Sequence, residues 1–238
     1  MGAAGRALAG GAEMNPTPTR LIGLLIYDGV ELLDHAGPYE VFTTASRMHA
    51  RLHGAGLPPP FEVLSIAASQ APIRARAGLQ LLPDQTIDAH PPLDLLMIPG
   101  GVVDAPLADA RTLAWVADQA TQVETVASVC TGVFVLAAAG VLPEGCSCTT
   151  HWEDIDDLQR AHPTLKIHSS MRWVNAQLPA TDEAPPRPLY TSAGISAGID
   201  LALHLVAVFA GQALAERTAR QMDYRWISTP HDGTPHVL

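Results

Sequence analysis

The chain has 238 residues, 47% hydrophobic, 16% charged and 5% aromatic, enough for one substantial core built from Leu, Ile, Val and Ala. With 24 acidic against 14 basic residues its formal charge is −10, which repels phosphate backbones and argues against nucleic acid as a partner. Three cysteines argue against a disulfide framework and fit a reducing, cytoplasmic setting. In chain order, residues 1–19 are small, weakly charged and without the apolar stretch of a secretory signal. They read as a flexible tail, with Met14 as an alternative start. Residues 20–226 read as one domain and 227–238 as a C-terminal tail.

RLIGLLIYDGV is a short apolar run ending at Asp28-Gly29, the pattern of a buried strand and its turn. After Gly37-Pro38, YEVFTTASRMHARL predicts a helix started by the fixed φ of proline. FEVLSIAA (61–68) and LDLLMIPGG (93–101) predict strands, with short strands or a hairpin between them. LADARTLAWVADQA (107–120) has helical spacing, with Leu107, Leu113, Val116 and Ala117 as the apolar stripe. VETVASV is a further strand and TGVFVLAAAG a helix ending at Gly140. The alternation weakens after TTHWED, and QLPATDEAPPRP (177–188) reads as an insertion. A long helix over 196–214 follows. No stretch approaches the ~18 continuous apolar residues of a membrane span, because Asp200 and His204 interrupt ISAGIDLALHLVAVFAG. Repeated strand–helix units with apolar strands predict a mainly parallel sheet covered by helices on both faces.

The chemistry concentrates at Cys130, where a buried strand stops and a helix begins in SVCTGVFVLAAAG. Ligands of open α/β sheets gather at the carboxyl ends of strands. The free NH groups of the helix start, Thr131 first, favour thiolate and lower a cysteine's pKa. They also suit a negative charge developing on a substrate. A buried structural cysteine is the competing reading. Cys146 and Cys148, in GCSCTTH, read as packing residues on a short strand rather than metal ligands.

Three segments supply partners. Asp34, after Leu32-Leu33, is either a helix cap or a carboxyl with a raised pKa that exchanges protons with the sulfur. Glu31 reads as solvent-facing. Gly100 and Gly101, in IPGG, form a plain turn or aim a second NH donor into the cleft. His151, in TTHWED, begins a capped helix or pairs with Cys130, and His168 is a weaker candidate.

Together these segments resemble the ThiJ/PfpI superfamily, related to class I glutamine amidotransferases, over about residues 20–226. The blocks that carry the likeness are GVELLDHAGPYEVF, LDLLMIPGG, SVCTGVFVLAAAGVLPEGCSCTTHW and TSAGISAGIDLALHLV. Within that group they are most similar to isonitrile hydratases, and they also occur in the N-terminal domains of AraC-type regulators. The resemblance implies a flavodoxin-like three-layer sandwich with a nucleophile elbow. It implies Cys130 as nucleophile, supported by Asp34 and Thr131. The expected activity is cofactor-free hydration of a small molecule, R–N≡C to the N-substituted formamide, by a homodimer. Glyoxalase- or amidase-like chemistry and a ligand or redox sensor of the same fold are the alternatives. Protease-like relatives carry His after the nucleophile; Thr131 at that position argues against peptidase activity. TSAGISAGID is expected to shape the pocket, with Asp200 capping or bonding locally. No helix-turn-helix segment follows, which disfavours direct transcriptional regulation.

Overall fold

The computed structural model describes residues 18–54, 56–180 and 185–231. Most of the expected N-terminal tail and residues 232–238 of the C-terminal one lie outside these. Strand β1 (Arg20–Leu25) leads into helix α1 (Leu32–His53), and β2 (Phe61–Ala67) follows. The short strands β3 (Ile73–Arg74) and β4 (Gln80–Leu81) form an antiparallel hairpin, before β5 (Gln85–Thr86) and β6 (Leu95–Ile98). Helices α2 (Asp104–Ala108) and α3 (Ala110–Gln122) precede β7 (Thr125–Val129) and α4 (Gly132–Ala138). Strand β8 (Ser147–Cys148), α5 (Ile155–Ala161), β9 (Lys166–Ile167), β10 (Trp173–Leu178) and β11 (Arg187–Ser192) come next, then α6 (Ala197–Ala210) and α7 (Gln212–Gln221).

The main sheet runs β10-β11-β7-β6-β1-β2-β5, parallel throughout except for the antiparallel edge strand β10. Central strands are buried on both faces, and successive side chains alternate between two cores. Ile22, Leu24, Leu95, Met97 and Val129 join a core that includes residues of α1, α6 and α7. Leu25, Leu96, Ile98 and Val126 pack with α3 and α4 on the other side. This is the α/β three-layer sandwich, flavodoxin-like in arrangement, that the sequence implies. No helix of the described residues is long and apolar enough to cross a membrane.

Several boundaries differ from the sequence expectations. Helix α1 begins seven residues before Tyr39, so Pro38 lies inside it. Pro38 lies past the first four NH groups, which lack intrahelical acceptors, so it removes the NH that would reach the Asp34 carbonyl. Asp34 therefore sits within the first turn and is not the cap; Glu31 holds that position. The expected helix over 107–120 divides at Asp109, whose side chain accepts from Arg111 N and caps α3. That cap turns Thr112, Trp115, Val116 and Gln119 inward, so of the expected stripe only Val116 is fully buried in α3. Gly211, at φ 94°, splits the expected long C-terminal helix into α6 and α7. The ends of segment 177–188 are paired strand, with Gln177 opposite Pro188 and Leu178 opposite Arg187. Residues 181–184 of that segment lie outside the described residues.

Asp200 also departs from the expectation of local bonding. It is fully buried in α6 and pairs with Arg172, while Tyr224 Oη donates to it at 3.2 Å and Ile227 N at 2.9 Å. Arg172 N in turn donates to Pro230 O at 2.7 Å, and its carbonyl accepts from Ala193 N at 2.8 Å. Burial alone would raise a carboxyl pKa; here Asp200 stays raised although the Ile227 NH and Arg172 work against the shift. Removing one member of such a pair leaves an unmatched buried charge. Asp200→Asn is expected to lower unfolding free energy by about 3–5 kcal/mol, read from urea denaturation. A loss below about 1 kcal/mol would mean that the pair contributes little.

Candidate functional site

The site forms where β1, β6 and β7 end. Cys130 directly follows β7 and adopts φ 56°, a left-handed conformation that costs a non-glycine residue about 1–2 kcal/mol. Its surroundings hold it there. Cys130 N donates to Ser192 O at 3.1 Å and Ala193 O at 3.3 Å, and its carbonyl accepts from Thr150 Oγ1 at 3.0 Å. Thr131 holds the N-cap position of α4 without a side-chain capping bond, and Gly132 opens the helix against the end of β6, where a Cβ would collide with Ile98 O. Only glycine permits so close an approach. The result is a nucleophile-elbow geometry: a strand, one strained residue and a helix.

Two loops brace the elbow from the side. Glu31 N donates to Gly100 O at 2.8 Å and Val102 N to Gly29 O at 2.9 Å, tying the turn after β1 to the turn after β6. Gly100 N donates to Asp34 Oδ2 at 3.0 Å. A Cβ on Gly100 would lie 2.6 Å from Thr131 N and 2.8 Å from Asp34 Oδ2, so this contact also requires glycine. Gly101 N donates to Thr131 Oγ1 at 2.8 Å, and Thr131 Oγ1 returns a hydrogen bond to Gly101 O at 2.9 Å. The glycine NH groups are thus engaged within the protein. They position Asp34 and Thr131 rather than standing free for a substrate, which corrects the expectation of donors at Gly100 and Gly101. Tyr27 completes the brace by donating to Pro99 O at 2.8 Å.

The electrostatics also depart from the sequence expectation. Burial first, then the charge of Asp34, pushes the Cys130 thiol up to about 12; Thr131 NH and Ile195 NH act the other way and do not prevail. Burial was the missing quantity, since a helix start lowers a thiol pKa only while the sulfur stays near solvent. Asp34 is completely buried, and burial raises it from 3.8 to about 7. The Gly100 hydrogen bond and the Cys130 thiol lower it, while Glu31 raises it. His35, next in α1, is pushed down to about 4 by burial and bonds Ser65 Oγ at 2.9 Å, so it brings no cation to Asp34 at neutral pH. Asp34 Oδ1 has no hydrogen-bond partner among the described residues. The pair at rest near neutrality is a thiol beside a half-ionised carboxyl.

A cavity of about 210 Å³ opens over Cys130 and Thr131. Its volume is below the roughly 300–1,000 Å³ of drug-sized sites, which limits it to small molecules. His151 lines it, as does Glu31, which is only partly exposed. His151 Nδ1 lies 3.3 Å from both Glu153 N and Asp154 Oδ2. The first contact needs an acceptor and the second a donor, so Nδ1 serves one at a time. His151 caps a 3-10 turn (Trp152–Asp154) rather than an α-helix. Thr149 does not cap it; its hydroxyl donates to His168 O at 2.7 Å. Cys146 and Cys148 are buried and remain free thiols. A larger hollow of about 430 Å³ beside Trp173 and His204 contains no cysteine. The sequence reading missed Ile195 and Tyr27. Ile195 lies within TSAGISAGID, noticed for its glycines, but only its φ of 45° turns the NH to the sulfur.

These features define a class: α/β sandwich proteins that present a cysteine from a strained strand-to-helix elbow. Residues 20–208 match the DJ-1/PfpI family, and the chain belongs to it. It thereby joins a superfamily of hydrolase- and hydratase-like proteins organised around a cysteine nucleophile. Isonitrile hydratase from Pseudomonas putida is 34% identical over 216 residues, covering 90% of this chain and 82% of that protein. The HTH-type transcriptional regulator GbdR from Pseudomonas aeruginosa is 29% identical over 212 residues. That match covers 89% of this chain but 52% of the regulator, so the chain spans about half its length. Among solved structures, a ThiJ/PfpI family protein from Pseudomonas syringae superposes with a TM-score of 0.69 at 28% identity. That superposition covers 98% of this chain and 84% of the other.

Proposed function

We propose that the protein is a cofactor-free hydratase that converts isonitriles into N-substituted formamides, with Cys130 as nucleophile and Asp34 as its proton carrier. The observation that carries this reading is the fully buried Asp34 carboxyl, held by Gly100 N at 3.0 Å beside the left-handed Cys130 elbow, where burial raises its pKa to about 7. A base poised near the working pH is suited to take a proton and return it. Asp34 carboxylate accepts the thiol proton as Sγ bonds the terminal carbon of R–N≡C, and it passes that proton to the same carbon. The product is the thioimidate R–N=CH–S–Cys130. Water adds to this carbon, with its proton moving to nitrogen. The C–S bond then breaks, releasing R–NH–CHO and the Cys130 thiol, reprotonated through Asp34. Thr131 NH and Ile195 NH hold negative charge on sulfur during attack and departure. His151 is assigned to the cavity wall.

Similarity to an isonitrile hydratase over most of both chains supports the substrate. A redox-sensing role needs a resting thiolate, which burial and Asp34 oppose. The test is incubation with tert-butyl isonitrile beside methylglyoxal and a simple amide, with products identified by mass spectrometry. Formamide formation, together with a Cys130 adduct of the isonitrile mass, is expected. No formamide, or faster turnover of the other compounds, would overturn the reading.

A further inference from the structure

We infer that the cavity over Cys130 selects its ligands by charge, admitting small neutral or cationic molecules and holding off anions. This rests on the reading of Cys130 as the reacting group, but not on the isonitrile as substrate.

Three carboxylates line the cavity: Glu31 from the turn after β1, and Glu153 and Asp154 from the segment after β8. Arg76 is the one Lys or Arg side chain in the described lining. Its Nη1 lies 3.8 Å from Glu31 Oε2, and its side chain is 63% exposed, so it balances at most one of the three. Asp34 adds a fourth carboxyl below, beside the sulfur. The charge of Asp154 is felt at Cys130 and that of Glu31 at Asp34, so the field of the walls reaches the reacting atoms. A small cleft lined by one sign of charge concentrates that field and raises the local concentration of the opposite sign.

Apolar side chains form a smaller part of the wall, beside Thr131 and His151. Val102 and Ile195 line the cavity, both partly exposed, and Trp152 stands exposed beside His151. A carboxylate-bearing ligand would meet one arginine, Arg76, which already faces Glu31, against three wall carboxylates. A neutral group, or one carrying a positive charge, meets no such repulsion.

Thiol reagents measure this selection without any turnover. Methanethiosulfonates carrying a trimethylammonium-ethyl, a methyl or a sulfonato-ethyl group are applied to the protein at about 10 mM ionic strength. In each case Sγ forms a disulfide with the reagent sulfur, methanesulfinate leaves and the thiol proton passes to solvent. Peptide mass spectrometry follows Cys130 separately from Cys146 and Cys148, and each rate is divided by that reagent's rate with 2-mercaptoethanol. The normalised cation-to-anion ratio is expected to be ~10 or more and to fall towards one in 1 M salt. The double variant Glu153→Gln/Asp154→Asn is expected to lower it severalfold. Equal normalised rates, a faster anion, or a Cys130 that no reagent reaches would overturn the inference, and the salt series in the unaltered protein decides even if the variant misfolds. Charge-selective labelling without isonitrile hydration would instead leave this inference standing and remove the proposed function.

Discussion

Cys130→Ala is expected to abolish formamide formation, with a loss of a thousandfold or more, while the protein stays folded. The proposed reaction has no route around the S–C bond, and the neighbouring NH groups alone cannot form the thioimidate. Alanine fits the space and keeps the left-handed backbone, which hydrogen bonds from Cys130 N and Thr150 Oγ1 hold independently of the side chain. The change in unfolding free energy should therefore stay within about 1–2 kcal/mol. Cys130→Ser is expected to be nearly as inactive, because a hydroxyl is far harder for Asp34 to deprotonate. Circular dichroism and urea denaturation check the fold, and formamide release checks the chemistry. Unchanged turnover in a folded Cys130→Ala protein would exclude the proposed mechanism.

Asp34→Asn is expected to act in opposite directions on activity and stability. Activity should fall by ~100-fold or more, the usual range for loss of a general base. In the unaltered enzyme the rate should rise with pH through about 7, where Asp34 ionises and becomes able to accept the thiol proton. The variant should lose that rise. The stability effect follows from linkage. Asp34 titrates at 3.8 when unfolded and at about 7 when folded, so the folded state binds its proton more tightly. Ionisation therefore costs nothing below about pH 4, costs progressively more between 4 and 7, and reaches its full value above 7. That full value is about 4 kcal/mol. Asparagine is never ionised and can still accept from Gly100 N, so the variant should gain more stability at pH 8 than at pH 5. Denaturation midpoints at the two pH values decide this. An equal change at both would mean that Asp34 is not held near neutrality.

This trade is expected of a carboxyl retained for chemistry. A fully buried acid without a cationic partner destabilises the fold, and His35 beside it is neutral. Asp200 shows the contrast within the same chain: also fully buried, it has Arg172, Tyr224 and Ile227 N around it. Its arrangement ties the C-terminal segment to α6, whereas one Asp34 oxygen has no hydrogen-bond partner among the described residues.

Much of the architecture was legible in the chain because it is written in local patterns. Runs such as LIGLLI and VETVASV are apolar at every position, which suits only strands covered on both faces. The short step from Val129 to Gly132 places Cys130 at a strand-to-helix junction whatever surrounds it. Helix limits were less legible: Pro38 reads as a start but falls at the seventh position of α1, where packing of the helix outweighs the bond lost to Asp34 O. The sequence by itself therefore determined the parallel sandwich, the elbow and the proximity of Asp34, Thr131 and the IPGG turn to one end of the sheet. Tertiary structure alone decided their chemistry. The thiol pKa rises rather than falls because dehydration of the sulfur and the nearby Asp34 outweigh two NH groups. The glycine NH groups bind Asp34 and Thr131 because two loops distant in sequence close on each other. Both outcomes depend on which groups share a buried space, and no local pattern encodes that.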